Sequence, residues 1–351
     1  MQKQWLSLLA PPESSPSSLL WLCRIDPSTS ARSSALSALS SLLDGPSNKQ
    51  FLGVADGRPS LHRTTSTRPF TSVSTQLGEA VNATLRYLTA AVNSEANSIA
   101  LVSACRSIAA IAHAISPCRL PHGLLASCVE SLHSRLEAVS SRNYAISDST
   151  DGNHSAGHDS SQLCQALLAA LSACLGSTRD AVVDSSVSNG ASSSCAHGIA
   201  HIAFDASQQT KIRHDAFGAL RAMAPNYPMA ALKAWEIYRK CAEQFAHERD
   251  DKLAVHSLRL IGESLRAAGP HSDGNFEKPS FDARECVSTH VIDYWRDTIR
   301  CVVPEALRSL GGEARASAVA IFHSIDVLTL NLLKVRTLMC LNDLMQITGE
   351  R

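Results

Sequence analysis

The chain has 351 residues, equal numbers of basic and acidic side chains, and few aromatic residues. A formal net charge of zero excludes a global field that recruits nucleic acid or an anionic membrane, although it leaves room for a local basic patch. Ala, Leu and Ser dominate the composition, which favours closely packed helices over sheets and predicts an all-α protein.

The first predicted elements are two helices. SSLLWLCRI (17–25) is a short apolar segment, and DPSTSARSSALSALSSLL (26–43) follows it with apolar residues at helical spacing. Asp26 is a good N-cap or turn residue, Pro27 suits a first helical turn, and a Gly-Pro pair ends the second segment. We therefore expect an antiparallel helical hairpin, the unit of a HEAT-type repeat.

Helical periodicity continues along the chain, and no convincing strand run interrupts it. The further predicted helices cover 71–92, 97–115, 122–139, 162–175, 194–206, 230–248 and a long stretch from 283 onward. A Ser-, Asp- and Gly-rich segment lies between two of them and is predicted to be disordered. The expected organisation is HEAT-like repeats at 1–140, a disordered insertion at 141–161, and continuing repeats at 162–351.

One arginine-containing pattern recurs in three separated helices, which is typical of a repeat architecture. ARSSALSAL, KIRHDAFGAL and EARASAVAIF each carry an Arg followed three residues later by Ala and then by apolar positions. The small Ala lets a neighbouring helix approach, and the Arg can reach an acidic or carbonyl group of the next repeat. Chance similarity between amphipathic helices is the alternative, and three matches at the same offsets weigh against it. Inter-repeat register is therefore assigned to Arg32, Arg213 and Arg315.

These observations predict an all-α fold, a HEAT-type α-solenoid of stacked antiparallel helix pairs with disordered loops. FTSVSTQLGEAVNATLRYLTAAVNSE followed by SPCRLPHGLL, with QFLGVAD upstream, resembles the N-terminal region of HEAT repeat-containing protein six and its plant and fungal relatives. The resemblance covers residues 18–140, a domain of unknown function, and implies an armadillo-type solenoid without known catalytic residues. Cys118 departs from it, because members tend to carry an aromatic residue there. Members are typically longer, so we expect a fragment or a shortened gene product.

The eleven cysteines form no CxxC pair and mostly lie within apolar helical stretches. Such residues are typical of small core positions in a reducing compartment, and an odd count fits free thiols better than a disulfide framework. The apolar stretch QKQWLSLLA is too short for a membrane span or a signal-peptide core. We expect an intracellular protein, cytoplasmic or nuclear.

The sequence offers one candidate metal cluster. SSSCAHGIAHIA places Cys195 near His197 and His201, and the two histidines share a helix face at i, i+4, as zinc ligands can. A fourth ligand is not visible, so two solvated or partly buried histidines are the preferred interpretation, and no metal or cofactor is predicted. Motifs of nucleophilic, phosphate-binding or zinc-hydrolase sites are missing as well, so no catalytic residue is predicted.

Two sets of residues are candidates for partner binding. Trp235 and Tyr238 are of the types enriched in binding hot spots, although packing in the solenoid core is the preferred interpretation. Arg58, Arg63 and Arg68 form a basic loop, which we expect to be solvated because no interleaved aromatic residue serves base stacking. The predicted function is a non-enzymatic scaffold that holds a protein or peptide in its concave face. A nucleic-acid or chromatin-associated solenoid using the Arg-rich loop is the alternative.

Overall fold

The structure is a computed structural model of residues 1–351. The described residues are 18–24, 27–44, 72–115, 120–121, 123–147, 154–176, 189–205 and 207–224, with 259–260, 316–317 and 319–320. Within them the chain forms eight helices and no strand, which confirms the all-α prediction for this part of the chain. The chain divides into two compact units, Met1–Ala191 and Ser192–Arg351.

The helices follow the predicted periodicity closely. In chain order they are α1 (Leu19–Arg24), α2 (Thr29–Asp44), α3 (Ser72–Ser94), α4 (Ser98–Ala114), α5 (Leu124–Ser147), α6 (His154–Gly176), α7 (Asn189–Phe204) and α8 (Thr210–Met223). Among these described helices, none combines the length and the hydropathy that a membrane span requires. The predicted helices at 230–248 and from 283 onward lie outside the described residues.

Contacts among the first six helices define a stack of three pairs. Helix α1 packs on α2, α3 on α4, and α5 on α6. Between pairs, α2 contacts α4 and α4 contacts α6, while α1 contacts α3 and α3 contacts α5. First helices therefore form one row and second helices form the other, which is the connectivity of an α-solenoid.

Helix α4 is the centre of the second row. Asn97 caps its N-terminus, because Asn97 Oδ1 accepts hydrogen bonds from the backbone N–H groups of Ile99 at 2.9 Å and Ala100 at 3.1 Å. Ala100 and Ala104 are fully buried, and their small side chains let the neighbouring helices approach. The remaining buried apolar positions of α4 are Leu101, Val102, Cys105, Ile108, Ile111 and Ala112.

Helix α2 begins slightly later than the sequence suggested. The Ser28 hydroxyl oxygen accepts from the backbone N–H of Ala31 at 3.3 Å, so Ser28 is the N-cap residue. Pro27 is exposed and precedes the cap instead of lying in the first turn. The predicted apolar face is confirmed at Leu36 and Leu39, which are fully buried.

Two helices extend into the segment expected to be disordered. Residues 141–147 continue α5 and residues 154–161 belong to α6, so the expectation of disorder over 141–161 is wrong for these stretches. Composition was misleading because a helix already anchored by buried residues gains one backbone hydrogen bond for each residue added, even a polar one. Leu136 of α5 and Leu163 of α6 are such anchors.

Helices α7 and α8 pack together in the second unit. The rings of Phe204 and Phe217 meet edge to face, with centroids 5.1 Å apart. Ala216, the small residue of the recurring pattern, is fully buried in α8, whereas Gly218 two residues later is exposed with open space where a Cβ would lie. Position 216 of α8 therefore faces a packed core, and position 218 faces solvent.

We predict opposite effects of the same side chain at these two positions. Ala216→Arg forces an unpaired cation into the core and should lower the free energy of unfolding by about 3–5 kcal/mol. Gly218→Arg adds a good helix former on the exposed side and should raise it by up to about 1 kcal/mol. Thermal unfolding followed by far-UV circular dichroism measures both, and equal shifts in melting temperature would contradict the described packing of α8.

Candidate functional site

The side chain of Glu95 joins the first helix pair to the second. Glu95 lies in the short turn between α3 and α4, and its side chain is only 6% exposed. Its Oε2 lies 2.8 Å from Nε of Arg32, and its Oε1 lies 3.4 Å from Nη2 of the same guanidinium. Arg32 belongs to α2. The carboxylate therefore forms a two-point ion pair across the boundary between pairs.

The same carboxylate also shapes its own turn. Oε1 of Glu95 accepts hydrogen bonds from the backbone N–H groups of Ala96 at 3.0 Å and Asn97 at 3.2 Å. Asn97 is the residue that caps α4, so the acid fixes the backbone from which α4 starts. A buried carboxylate is tolerated here because both of its oxygens accept hydrogen bonds.

The third helix pair reaches the same turn from the other side. Nη2 of Arg135, on α5, donates to the backbone carbonyl oxygen of Glu95 at 3.0 Å. A second bond to α5 runs from Nδ2 of Asn93, near the end of α3, to Oγ of Ser131 at 3.0 Å. We call Arg32, Glu95 and Arg135 the Glu95 junction, because one turn residue contacts all three pairs.

The environment of Glu95 lowers the pKa of its carboxyl below the ordinary value of 4.5. The hydrogen bond from Arg32 is the main cause, and the backbone N–H groups of the turn and the charge of Arg32 add to it. Desolvation by burial acts in the opposite direction and is the smaller effect. Glu95 is therefore ionised in the folded protein at neutral pH.

The arginines of the recurring pattern use different acceptors. Arg32 and Arg213 are each the fourth residue of their helix, where the positive end of the helix dipole disfavours a cation. Arg32 offsets this cost through Glu95 of the next pair. Arg213 is buried, and its Nε donates at 3.2 Å to the carbonyl oxygen of Ala203, in the last turn of the preceding helix α7. That carbonyl belongs to a helix end, where no intrahelical donor is available.

The other sequence candidates for partner binding or register lie outside the described residues. They are Arg315, Trp235, Tyr238, Arg58, Arg63 and Arg68. Sequence reasoning missed Glu95 and Arg135. The available signal was the turn NSEANS, which places one acid between two long helices.

The candidate histidines and cysteine of α7 separate onto two faces. His197 and His201 are exposed, and their Nε2 atoms are 3.0 Å apart. Cys195 is fully buried, so it does not join them. Partial burial, and then the neighbouring His197, lower the pKa of His201 below its ordinary value. Across the described residues, no group of three His, Cys, Asp or Glu side chains is placed to hold a metal ion.

Buried thiols line the boundary between the second and third pairs. All six cysteines in the described part of the chain are buried thiols, as their apolar sequence context predicted. Burial raises the pKa of Cys105 to about 12. Side-chain hydrogen bonds with Cys174 and Thr89 lower the pKa of Cys128, but its thiol is fully buried and out of reach of a substrate. These thiols pack the core and do not form an accessible nucleophilic site.

The second row presents a narrow exposed surface. In α4 the exposed residues are Ile99, Arg106 and His113, spaced by seven. Helices α2 and α6 flank α4 and α3 lies behind it, so these residues occupy its remaining side. In α6, from residue 160 on, Gln162 and Ala169 are exposed at the same spacing. We call these five residues the second-row surface.

Comparison with known proteins gives a partial match. The model of a domain of unknown function, DUF4042, matches residues 1–149, and so supports the expected domain of unknown function at the N-terminus over less than half of the chain. No curated protein matches the sequence. Among solved structures, the chain is similar to a designed armadillo repeat protein, YIII(Dq)4CqI, with 14% sequence identity, a TM-score of 0.43, and coverage of 87% of this chain and 98% of that chain. The contacts between the helices, and not this likeness, define the fold.

We predict that Glu95→Gln lowers the free energy of unfolding by about 1.5–3 kcal/mol, because it removes a buried charge-assisted hydrogen bond while keeping the side-chain size. Urea denaturation at pH 7 measures the change. Glu137→Gln is the matched control, since its carboxylate is 59% exposed and lies 3.6 Å from His133. That change should stay within about 0.5 kcal/mol. Similar losses in both variants would contradict a special role for Glu95.

We predict that ionisation of Glu95 makes the free energy of unfolding depend on pH. The pKa of Glu95 is lower in the folded protein than in the unfolded chain. Its contribution to the free energy of unfolding is therefore fully present above the unfolded pKa of 4.5, and it is lost as the pH falls through the lower folded pKa. The difference in unfolding free energy between the wild type and Glu95→Gln should therefore be constant from pH 7 to pH 5 and shrink below that. Urea denaturation in steps from pH 7 to pH 3.5 tests this. A difference that does not change with pH would show that the ion pair is not its source.

Proposed function

We propose that the chain is a non-enzymatic α-solenoid scaffold and that the second-row surface holds a segment of a partner protein. The observation that carries the proposal is the regular exposure along α4 and α6. Each of these helices is buried on its other sides and shows residues spaced by seven on one side. Stacked repeats commonly use such a continuous surface for binding.

The chemistry of this surface favours one kind of partner segment. Ile99 is 63% exposed and offers an apolar anchor, while Arg106 offers a cation in the middle of α4. The sequence of α4 contains no acidic residue. The first row differs, because Glu79 of α3 and Glu130 of α5 are exposed there. A segment with apolar and acidic side chains therefore fits the second-row surface better than the first row.

The Glu95 junction supports the proposal through rigidity. It fixes the turn that leads into α4 and holds the helix pairs on both sides of that turn. A surface whose geometry is fixed before binding loses less conformational entropy when a partner docks. We infer that Arg32 sets inter-repeat register in this way, and that Arg213 does so by holding the end of α7.

We further infer membership of the HEAT repeat-containing protein six-like family. The motifs that resemble this family lie within residues 18–140, and the match to a domain of unknown function spans residues 1–149. The two ranges overlap almost completely.

A matched pair of charge reversals tests the binding surface. Arg106→Glu places an acid on the second row, and Arg86→Glu makes the same change at an exposed position of α3 on the first row. Partner binding should weaken at least about tenfold in Arg106→Glu, because like charges then face each other, and should stay within about twofold in Arg86→Glu. Quantitative affinity capture from cell extract at physiological salt, with both variants checked for wild-type melting temperature, gives the measurement.

Site-specific photo-crosslinking locates the contact independently. A photoreactive residue at Ala169 should give a discrete protein adduct, whereas one at Glu130 on the first row should not. Equal adducts from both rows, or equal weakening by both charge reversals, would contradict the assignment of the surface. Capture of nucleic acid with a steep salt dependence would contradict the protein partner itself.

A further inference from the structure

Two exposed imidazoles of α7 approach each other closely through their Nε2 atoms. The Nε2 atoms of His197 and His201 are 3.0 Å apart, and the ring centroids are 4.6 Å apart with the ring planes at 83°. The two residues stand one helical turn apart on a helix whose opposite face is buried through Cys195, Ile199 and Ala203. The backbone that carries both rings is therefore held in place by the core of the second unit.

The ring geometry distinguishes two arrangements. A linear N–H···N hydrogen bond with the same nitrogen separation would place the ring centroids about 5.3 Å apart. Two rings that point their nitrogens at a common ion, with metal–nitrogen bonds of about 2.0–2.1 Å, would have centroids about 4.7 Å apart. The two nitrogens lie within hydrogen-bonding distance, and the observed 4.6 Å shows that a bond between them is bent; the same distance fits two nitrogens that bind one ion.

We propose that His197 and His201 form a two-ligand site for a divalent transition-metal ion of the square or octahedral class, represented by Ni²⁺ and Cu²⁺. Bonds of about 2.0–2.1 Å to two nitrogens 3.0 Å apart enclose an angle of about 94° at the metal. This is close to the right angle between neighbouring positions in square and octahedral coordination. Tetrahedral coordination would need nitrogens about 3.3–3.4 Å apart, so Zn²⁺ fits less well.

The site differs from the structural zinc site that the sequence argument rejected. Because no third His, Cys, Asp or Glu among the described residues is placed to complete the shell, water or a donor from a bound molecule fills the other positions. Imidazole is a suitable ligand for Ni²⁺ and Cu²⁺ without thiolate support. The exposure of both rings leaves these positions open.

Calorimetric titration of the full chain with Ni²⁺ tests the proposal. Ni²⁺ is the better probe, because Cu²⁺ oxidises thiols and the chain has eleven cysteines. The wild type should show a Ni²⁺ site whose affinity falls at least about tenfold in His197→Gln and in His201→Gln. Zn²⁺ should bind that site more weakly than Ni²⁺. Ni²⁺ should also raise the melting temperature of the wild type and leave that of His201→Gln unchanged, since binding to the folded state stabilises it.

His113→Gln serves as the control, because His113 is an exposed histidine on α4, where the sequence places no second histidine. This variant should keep the wild-type Ni²⁺ isotherm. The three variants change exposed side chains, so their metal-free melting temperatures should match that of the wild type. A Ni²⁺ isotherm unaffected by either α7 substitution, or reduced equally by His113→Gln, would overturn the proposal.

Discussion

One buried carboxylate, that of Glu95, bonds the first helix pair to the second. Moving a charge out of water costs several kcal/mol unless it is paired and hydrogen-bonded. Glu95 meets this condition through the guanidinium of Arg32 and two backbone N–H groups of its own turn. Any sliding of α2 against that turn would leave the charge unpaired. We infer that the cost of that state, more than the strength of the ion pair, sets how the first pair stacks on the second.

This constraint explains the small side chains of the second row. Once the turn before α4 is fixed, α2 and α6 must approach α4 closely from both sides. Ala100 and Ala104 are fully buried there, as is Ala170 of α6. Larger residues at these positions would separate the helices and displace Arg32 from Glu95. Packing of the row and pairing of the charge therefore depend on each other, and together they hold the second-row surface in a fixed geometry.

Sequence reasoning predicted the parts of this structure that follow from local pattern. Periodicity located the helices, and the recurring pattern pointed to Arg32. It did not identify Glu95, because that partner is 63 residues away and a lone acid in a polar turn resembles any solvated acid. The same limit applies to the histidines of α7, whose spacing predicted a shared face but not the close approach of their Nε2 atoms. Composition was wrong where helices continue into 141–161, because helix propagation from a packed core outweighs local polarity.

A double-mutant cycle between Arg32 and Glu95 tests most directly whether the carboxylate couples the helix pairs. The free energy of unfolding in urea at pH 7 would be measured for the wild type, Arg32→Met, Glu95→Gln and the double variant. If the two residues are coupled, the double variant should lose less free energy of unfolding than the two single variants lose in sum. The expected interaction energy is about 1.5–3 kcal/mol. Additivity within about 0.5 kcal/mol would show that the two residues act independently and would contradict the junction as the basis of the stack.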